Sequence, residues 1–267
     1  MEKLFRTYSF IKNRFERRYL EKNSSLILRR GVLIVLVIGM AGAFFAAGKQ
    51  QRGADVYPEM ELEKKASVGE VLPADASGER VSKDVEIAFT FDDGPHPVWT
   101  EKLLDGLKER GIRATFFVIG QNAKEHPELI QRMLEEGNQV GNHTYSHVQL
   151  TACNTEQAMK EITKTQEAIY QASGFQPRYI RPPFGSWNEK LQEETSLETV
   201  LWDVDPYDWK VQDTDLIVNR ILEQTEDGSI ILLHDVYGTS VEAALKAADI
   251  FIERGYRFCT VEEILIE

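Results

Sequence analysis

From Val85 to the C-terminus, short apolar runs alternate with stretches of helical periodicity. The strand-like runs are 85–91, 114–119, 138–141, 178–181, 199–203, 229–233 and 256–260. The helical stretches are about 99–110, 126–136, 155–173, 187–195, 213–225, 240–254 and 261–266. Within 155–173, Ala158, Ile162, Thr165 and Ile169 recur three or four residues apart, which places them on one buried face. Gly111, Gly137, Gly174 and Gly255 stand just past helix ends, where a residue without a Cβ takes the left-handed cap. Strands that are each followed by a helix run parallel, so the pattern predicts a parallel sheet covered by helices. Seven units fall short of the closed eightfold barrel. The expected α/β fold over 85–267 is therefore a distorted or open (β/α) barrel of about seven strands.

The 267 residues leave room for such a domain and for flanking segments. The formal charge of -12 is unevenly spread: residues 1–30 hold nine Lys/Arg and three Asp/Glu, net +6, which leaves -18 for the rest. An acidic bulk argues against general nucleic-acid binding, which needs a basic face to meet phosphates. Residues 31–48, GVLIVLVIGMAGAFFAAG, carry no charge. As a helix they reach about 27 Å, enough for a thin hydrocarbon core. Arg29 and Arg30 precede the run, so the positive-inside rule keeps 1–30 cytoplasmic and exports everything after Lys49. The competing reading is a cleaved signal peptide with its site among the small residues from Ala43 to Gly48. The long basic segment and long apolar run favour an uncleaved anchor. Phe5, Phe10, Phe15 and Tyr19, interleaved with Arg and Lys, fit either an interfacial amphipathic helix or a disordered tail. Residues 49–84 are polar and turn-rich and read as an extracytoplasmic linker.

Polar clusters sit at one end of successive strands. Asp92 and Asp93 follow the first, before Gly94-Pro95; the segment from Gly141 to His147 follows the third. Arg181-Pro182-Pro183-Phe184-Gly185 follows the fourth, Asp205-Pro206-Tyr207-Asp208-Trp209 the fifth, and His234-Asp235 the sixth. In a parallel barrel these ends open on one face, where such folds place their chemistry. Adjacent carboxylates do two jobs only where the chain turns, one binding a metal and the other staying free as a base. His143 and His147, four apart, share one side if the segment is a helical turn. With Asp93 they form an Asp-His-His set that leaves a position for water, as a catalytic zinc site requires. The set suits Zn²⁺; Co²⁺, Mn²⁺, Ni²⁺ and Fe²⁺ are also compatible. Each feature also has a bland reading: a solvated turn for Asp92-Asp93, a surface pair for the histidines, and a half-buried core residue for His234. Trp202 and Trp209 read equally as core, and Trp209 also as a face on which a sugar packs. His96 and His126 have no argued role.

Taken together, Thr90-Phe91-Asp92-Asp93-Gly94-Pro95, His143-Thr144-Tyr145-Ser146-His147, Arg181-Pro182-Pro183-Phe184-Gly185, Asp205-Pro206-Tyr207-Asp208-Trp209 and Leu232-Leu233-His234 resemble, in order, the five motifs of the NodB-type polysaccharide deacetylases, carbohydrate esterase family 4. The resemblance covers about 85–267 and implies a distorted (β/α) barrel. It implies Asp93, His143 and His147 as metal ligands, Asp92 as general base and His234 as general acid. Arg181 would orient Asp92, Asp208 would tune His234, and the backbone N–H of Phe184 would face the oxyanion. Trp209, Pro182 and Leu232 are candidate substrate contacts. The implied reaction is metal-assisted hydrolysis of an N-acetyl group on an extracellular glycan, peptidoglycan N-acetylglucosamine first and N-acetylmuramic acid next. Chitooligosaccharide, an exopolysaccharide and acetylxylan ester remain alternatives.

A non-catalytic glycan-binding module with a structural metal is the contrasting reading, against which the intact acid, base and Arg set argues. A nucleobase deaminase is disfavoured because its paired-Cys zinc signature is missing. The two cysteines, Cys153 and Cys259, read as unlinked thiols, with a disulfide the alternative in an oxidising location.

Overall fold

The structure, a computed structural model, describes residues 85–266. The basic segment, the span at 31–48 and the linker read from the sequence lie outside these residues. Among the described residues no helix is long and apolar enough to cross a membrane.

The chain runs β1 (Glu86–Asp92), α1 (Trp99–Glu109), β2 (Thr115–Val118), α2 (Gly120–Glu125), α3 (Pro127–Glu135), β3 (Gln139–Asn142) and α4 (Thr155–Ser173). It continues through β4 (Tyr179–Ile180), α5 (Glu189–Glu194), β5 (Glu198–Thr199), α6 (Thr214–Gln224), β6 (Ser229–His234), α7 (Gly238–Glu253), β7 (Arg257–Phe258) and α8 (Val261–Ile266). The strands form one parallel sheet in the order β5-β4-β3-β2-β1-β6. β6 covers one edge of β1 from Ile87 to Asp92. The other edge is shared, by β2 at Thr90–Asp92 and by β7 at Glu86–Ile87. The sheet curls until its ends meet just past β5, where Val204 bridges Ile231 and accepts the Leu232 N–H at 2.9 Å.

Side-chain alternation sorts the core into two layers. Ile87, Phe89 and Phe91 point outward into the cluster shared with Leu103, Leu104, Ile217 and Phe251 of the covering helices. Ala88 points inward, with Phe117, Tyr179, Val200 and Ile230. Thr90 and Asp92 continue the inward set, and the β1–β6 register aligns Ala88 with Ile230, Thr90 with Leu232 and Asp92 with His234. Two strand-end groups thus share a side without any loop to bring them there.

Three local features differ from the sequence reading. The helix read over 126–136 is present as α3, but a short helix that was not read, α2, precedes it, and the break between the two falls at His126 (φ -128°, ψ 59°). Pro127 explains it: its ring disfavours helical backbone at the preceding residue and is itself suited to a first helical position. The strand read over 199–203 pairs only at Glu198–Thr199. The carbonyls of Val200 and Leu201 are instead taken by the Arg181 guanidinium, at 3.4 and 3.1 Å. The third is the His143–His147 segment, which is a loop rather than a helical turn. α4 is as expected, with an Asn154–Gln157 capping box at its start and Gly174 left-handed at its end. Both thiols are free, Cys259 buried and Cys153 half-buried.

Gly141 is where backbone and site meet. It pairs with Phe117, and a Cβ there would lie 2.5 Å from the Phe117 ring. The ring in turn lies beneath the Arg181 guanidinium, 4.3 Å from its centroid. Gly141→Ala must displace this ring, and overpacking of this kind costs about 1–3 kcal/mol. Chemical denaturation should show that loss; a variant as stable as the parent would mean that Phe117 has room to move.

Candidate active site

Asp92 ends β1 with its side chain only 4% exposed. Its Oδ1 accepts from Arg181 Nη1 at 2.8 Å, and the same nitrogen donates to Thr90 Oγ1 at 2.7 Å. Arg181 has no exposed surface, so the pair is desolvated as a unit. Burial lowers the Arg181 pKa and the Asp92 charge opposes that, in a group whose ordinary value leaves it cationic throughout. Asp92 Oδ2 is left facing the next shell, 3.8 Å from His143 Nε2. Asp93 turns left-handed, φ 74°. That turn is what lets two consecutive carboxylates line one cavity.

His143 Nδ1 lies 2.6 Å from the Arg181 carbonyl oxygen. A carbonyl only accepts, so Nδ1 carries a proton, and in the neutral ring the lone pair is then on Nε2. Nε2 lies 3.4 Å from Asp93 Oδ1, and His147 Nε2 lies 3.3 Å from the same oxygen. The ligand atoms of Asp93, His143 and His147 fall within 4.8 Å of one another. Asp93 Oδ1 is buried with no hydrogen-bond donor. A buried carboxylate oxygen without a donor among the described residues, between two imidazole nitrogens, fits a divalent cation. Burial pushes the Asp93 carboxyl up, but the facing imidazoles, His143 first and then His234 and His147, hold it below the usual range. Burial holds His147 below its ordinary value against the pull of Asp93, which favours the neutral, ligating form.

Across the cavity, His234 Nδ1 meets Asp208 Oδ1 at 2.8 Å, and the His234 N–H donates to Asp208 Oδ2 at 2.8 Å. Asp208 is fully buried and also accepts the Trp209 N–H at 2.9 Å. Burial would lower the His234 pKa; the hydrogen bond and charge of Asp208, with Asp92 and Asp93 behind, raise it to about 9. The cavity between these groups holds about 450 Å³. Pro182, Phe184, Leu232 and Trp209 line it, so every candidate contact residue read from the sequence borders the same space. Phe184 is left-handed (φ 61°) and 69% exposed, with its ring edge-on to His147. The turn around it is closed by the N–H groups of Gly185 and Ser186, outside which the Phe184 N–H stands.

The Polysaccharide deacetylase family profile matches residues 79–199. A chitooligosaccharide deacetylase of Rhizobium leguminosarum bv. trifolii is 41% identical over 178 residues, 65% of this chain and 80% of that protein. The chain belongs to the polysaccharide deacetylase family. The peptidoglycan-N-acetylmuramic acid deacetylase PdaC of Bacillus subtilis is 38% identical over 235 residues, 85% of this chain and 50% of that protein. Its solved structure superposes with a TM-score of 0.67 at 44% identity, over 68% of this chain and 90% of the solved one. The peptidoglycan-N-acetylglucosamine deacetylase PgdA of Listeria monocytogenes is 39% identical over 178 residues, 67% of this chain and 38% of that protein. The chain thus spans half or less of these two longer relatives.

Several residues of this family member's site were not singled out by sequence reasoning. Thr90 shares Arg181 Nη1 with Asp92, and Tyr237 lines the cavity beside His234. Asp205 lines it too, its carboxyl raised by burial against the opposing Tyr207 N–H. Asp235, fully buried and raised to about 7 by burial, accepts from Thr100 and packs against Gly94. The alternation of β1 carried a signal for Thr90, two residues before Asp92 on the same face. Asp205 and Asp235 stood in the strand-end clusters without a role, and nothing local marked Tyr237.

In an NMR titration the His234 ring is expected to change charge near pH 9. In Asp208→Asn that midpoint should fall toward or below the ordinary 6.5, since burial then acts without its nearest counter-charge. A pKa raised on folding contributes stability that is full below pH 6.5 and lost as pH rises through about 9. The variant should lose that dependence. An unshifted titration in Asp208→Asn would refute the pairing.

Proposed function

We propose that this chain is a metal-dependent N-deacetylase acting on an extracellular glycan, with peptidoglycan N-acetylglucosamine as the first substrate and N-acetylmuramic acid the next. The observation that carries the reading is the single cavity. Asp92, the cation-fitting triad and His234 line this one space, with Arg181 behind Asp92 and Asp208 behind His234. The activities named for the relatives support an acetamido sugar over an acetyl ester.

A bound divalent cation, Zn²⁺ by its fit to two neutral imidazoles and a carboxylate, supplies Lewis-acid polarisation of the acetamide carbonyl and of water. Asp93, His143 and His147 would hold it. Asp92 takes a proton from the water that attacks the carbonyl carbon, using the oxygen that Arg181 leaves free. Arg181 keeps that carboxylate in one orientation. The Phe184 N–H donates to the oxygen that becomes negative. His234, protonated at neutral pH because of Asp208, gives its proton to the sugar nitrogen. The C–N bond breaks, leaving acetate and a free amine. Exposed Trp209 and Tyr207, at 49% and 48%, offer apolar faces at the rim for sugar rings.

Acetate release from N-acetylated glycans should require added metal and stop with chelator. Asp92→Asn is expected to lose on the order of 10²–10⁴ in kcat while still binding Zn²⁺. His143→Ala and His147→Ala should instead lose the Zn²⁺. Parent-like turnover by either histidine variant in metal-free buffer would sink the ligand assignment.

The same reading places the catalytic domain outside the cell on a membrane anchor at 31–48, with 1–30 cytoplasmic and 49–84 as tether. The charge-free span behind Arg29-Arg30 supports it. Expressed from its own start, the protein should fractionate with membranes, and deletion of 1–48 should release it. A mature N-terminus beginning near residue 49 would instead establish signal cleavage.

A further inference from the structure

Two ligands come from one loop, and that loop lacks the support a helix would have given it. Between His143 and His147 there is no helix, and Thr144 (φ 65°) and His147 (φ 55°) are both left-handed. Such backbone is costly for residues with a Cβ and persists only when its surroundings over-determine it. The N–H groups of Tyr145 and Ser146, which a helix would satisfy internally, need an acceptor from elsewhere.

Glu161, in the middle of α4, is that acceptor. Its Oε2 receives the Tyr145 N–H at 3.1 Å, the Ser146 N–H at 2.8 Å and Ser146 Oγ at 3.0 Å. Bonds to an ionised acceptor are roughly twice as strong as neutral ones. Neighbouring groups brace the start of the loop. Asn142 Nδ2 donates to the Ile162 carbonyl at 3.0 Å, and Asn142 Oδ1 accepts the Thr144 N–H at 2.9 Å. From α2, the N–H groups of Gly120 and Gln121 donate to the carbonyls of Thr144 and Tyr145 at 2.9 and 3.0 Å. Every polar backbone atom of Tyr145 is thus held from outside the loop, and the charged part of that hold is Glu161.

We infer that Glu161 is a positioning residue for the metal centre. Its carboxylate fixes the backbone at Tyr145 and Ser146 so that the imidazoles on either side share one cation with Asp93. Glu161 contributes no ligand atom to that cluster. The inference rests on the reading of Asp93, His143 and His147 as a metal site.

The test compares Zn²⁺ affinity, by competition with a chelating dye, in the full chain and in Glu161→Gln and Glu161→Ala. Thermal unfolding of the metal-free proteins is measured alongside. Gln keeps an acceptor oxygen of similar shape without the charge; Ala keeps neither. Removing a partner that orients a ligand weakens metal binding by about 10–100-fold, so Gln should fall near the lower end and Ala near the upper. The metal-free melting curve of Glu161→Gln should superimpose on the parent's, and excess Zn²⁺ should restore its kcat. Parent-like affinity in both variants would overturn the inference. So would an affinity loss that merely tracks lost metal-free stability, which would make Glu161 a structural residue only. If the parent itself binds no Zn²⁺, the metal site reading fails and the inference falls with it.

Discussion

Arg181 puts a full positive charge inside the curled sheet, beneath Asp92 and out of contact with water. Stripping a guanidinium of solvent costs several kcal/mol, and such a group persists only where its donors and charge are matched. Here Nη1 is shared between Asp92 and Thr90 of β1, while Nε and Nη2 reach the carbonyls of Val200 and Leu201 beyond β5. Phe117 and Trp202 supply aromatic faces, 4.3 and 5.7 Å from the guanidinium carbon. The side chain therefore ties the centre of the sheet to its β5 end. Its own carbonyl sets the tautomer of His143. One residue thus bears on the orientation of the proposed base, the state of a proposed ligand and the course of the chain after β5.

The two proton-handling pairs are built in opposite sense. Asp92 is a carboxylate held by a cation, and His234 is an imidazole held by a carboxylate. Between them, Asp93 has an oxygen that no group among the described residues satisfies. Five non-glycine residues with positive φ occur among the described residues: Asp93, Thr144, His147, Phe184 and Tyr207. Asp93, His147 and Phe184 line the cavity, Thr144 lies between the two histidines, and Tyr207 stands at the rim beside Trp209. Backbone strain concentrated in this way marks where geometry has been kept at a cost in local stability, as functional sites do.

How much of this was legible in the sequence follows from the range of each interaction. Strand and helix positions were readable because side-chain period, glycine caps and proline breaks act over a few residues, as α4 shows at both ends. The family motifs made the candidate set readable, and all of its members face one cavity or support a residue that does. The four-residue histidine spacing was readable as a pair, but the helical turn that would have set both rings on one side is absent. Glu161 and the Gly120–Gln121 amides, far along the chain from the pattern itself, hold the loop in another shape. The start of α3 at Pro127 was readable, whereas α2, six residues without a long apolar period, was not.

Alone, the order of residues determined a parallel α/β sheet whose polar groups gather at strand ends, since those choices are settled by nearest neighbours and by the burial of apolar runs. Only the folded chain decided which polar groups meet. Asp92 reaches Arg181 across 89 residues and His234 by strand register, and the proton on His143 is placed by a carbonyl 38 residues away. Such contacts depend on how strands align and how tightly the barrel packs, a property of the whole assembled core that no local pattern carries.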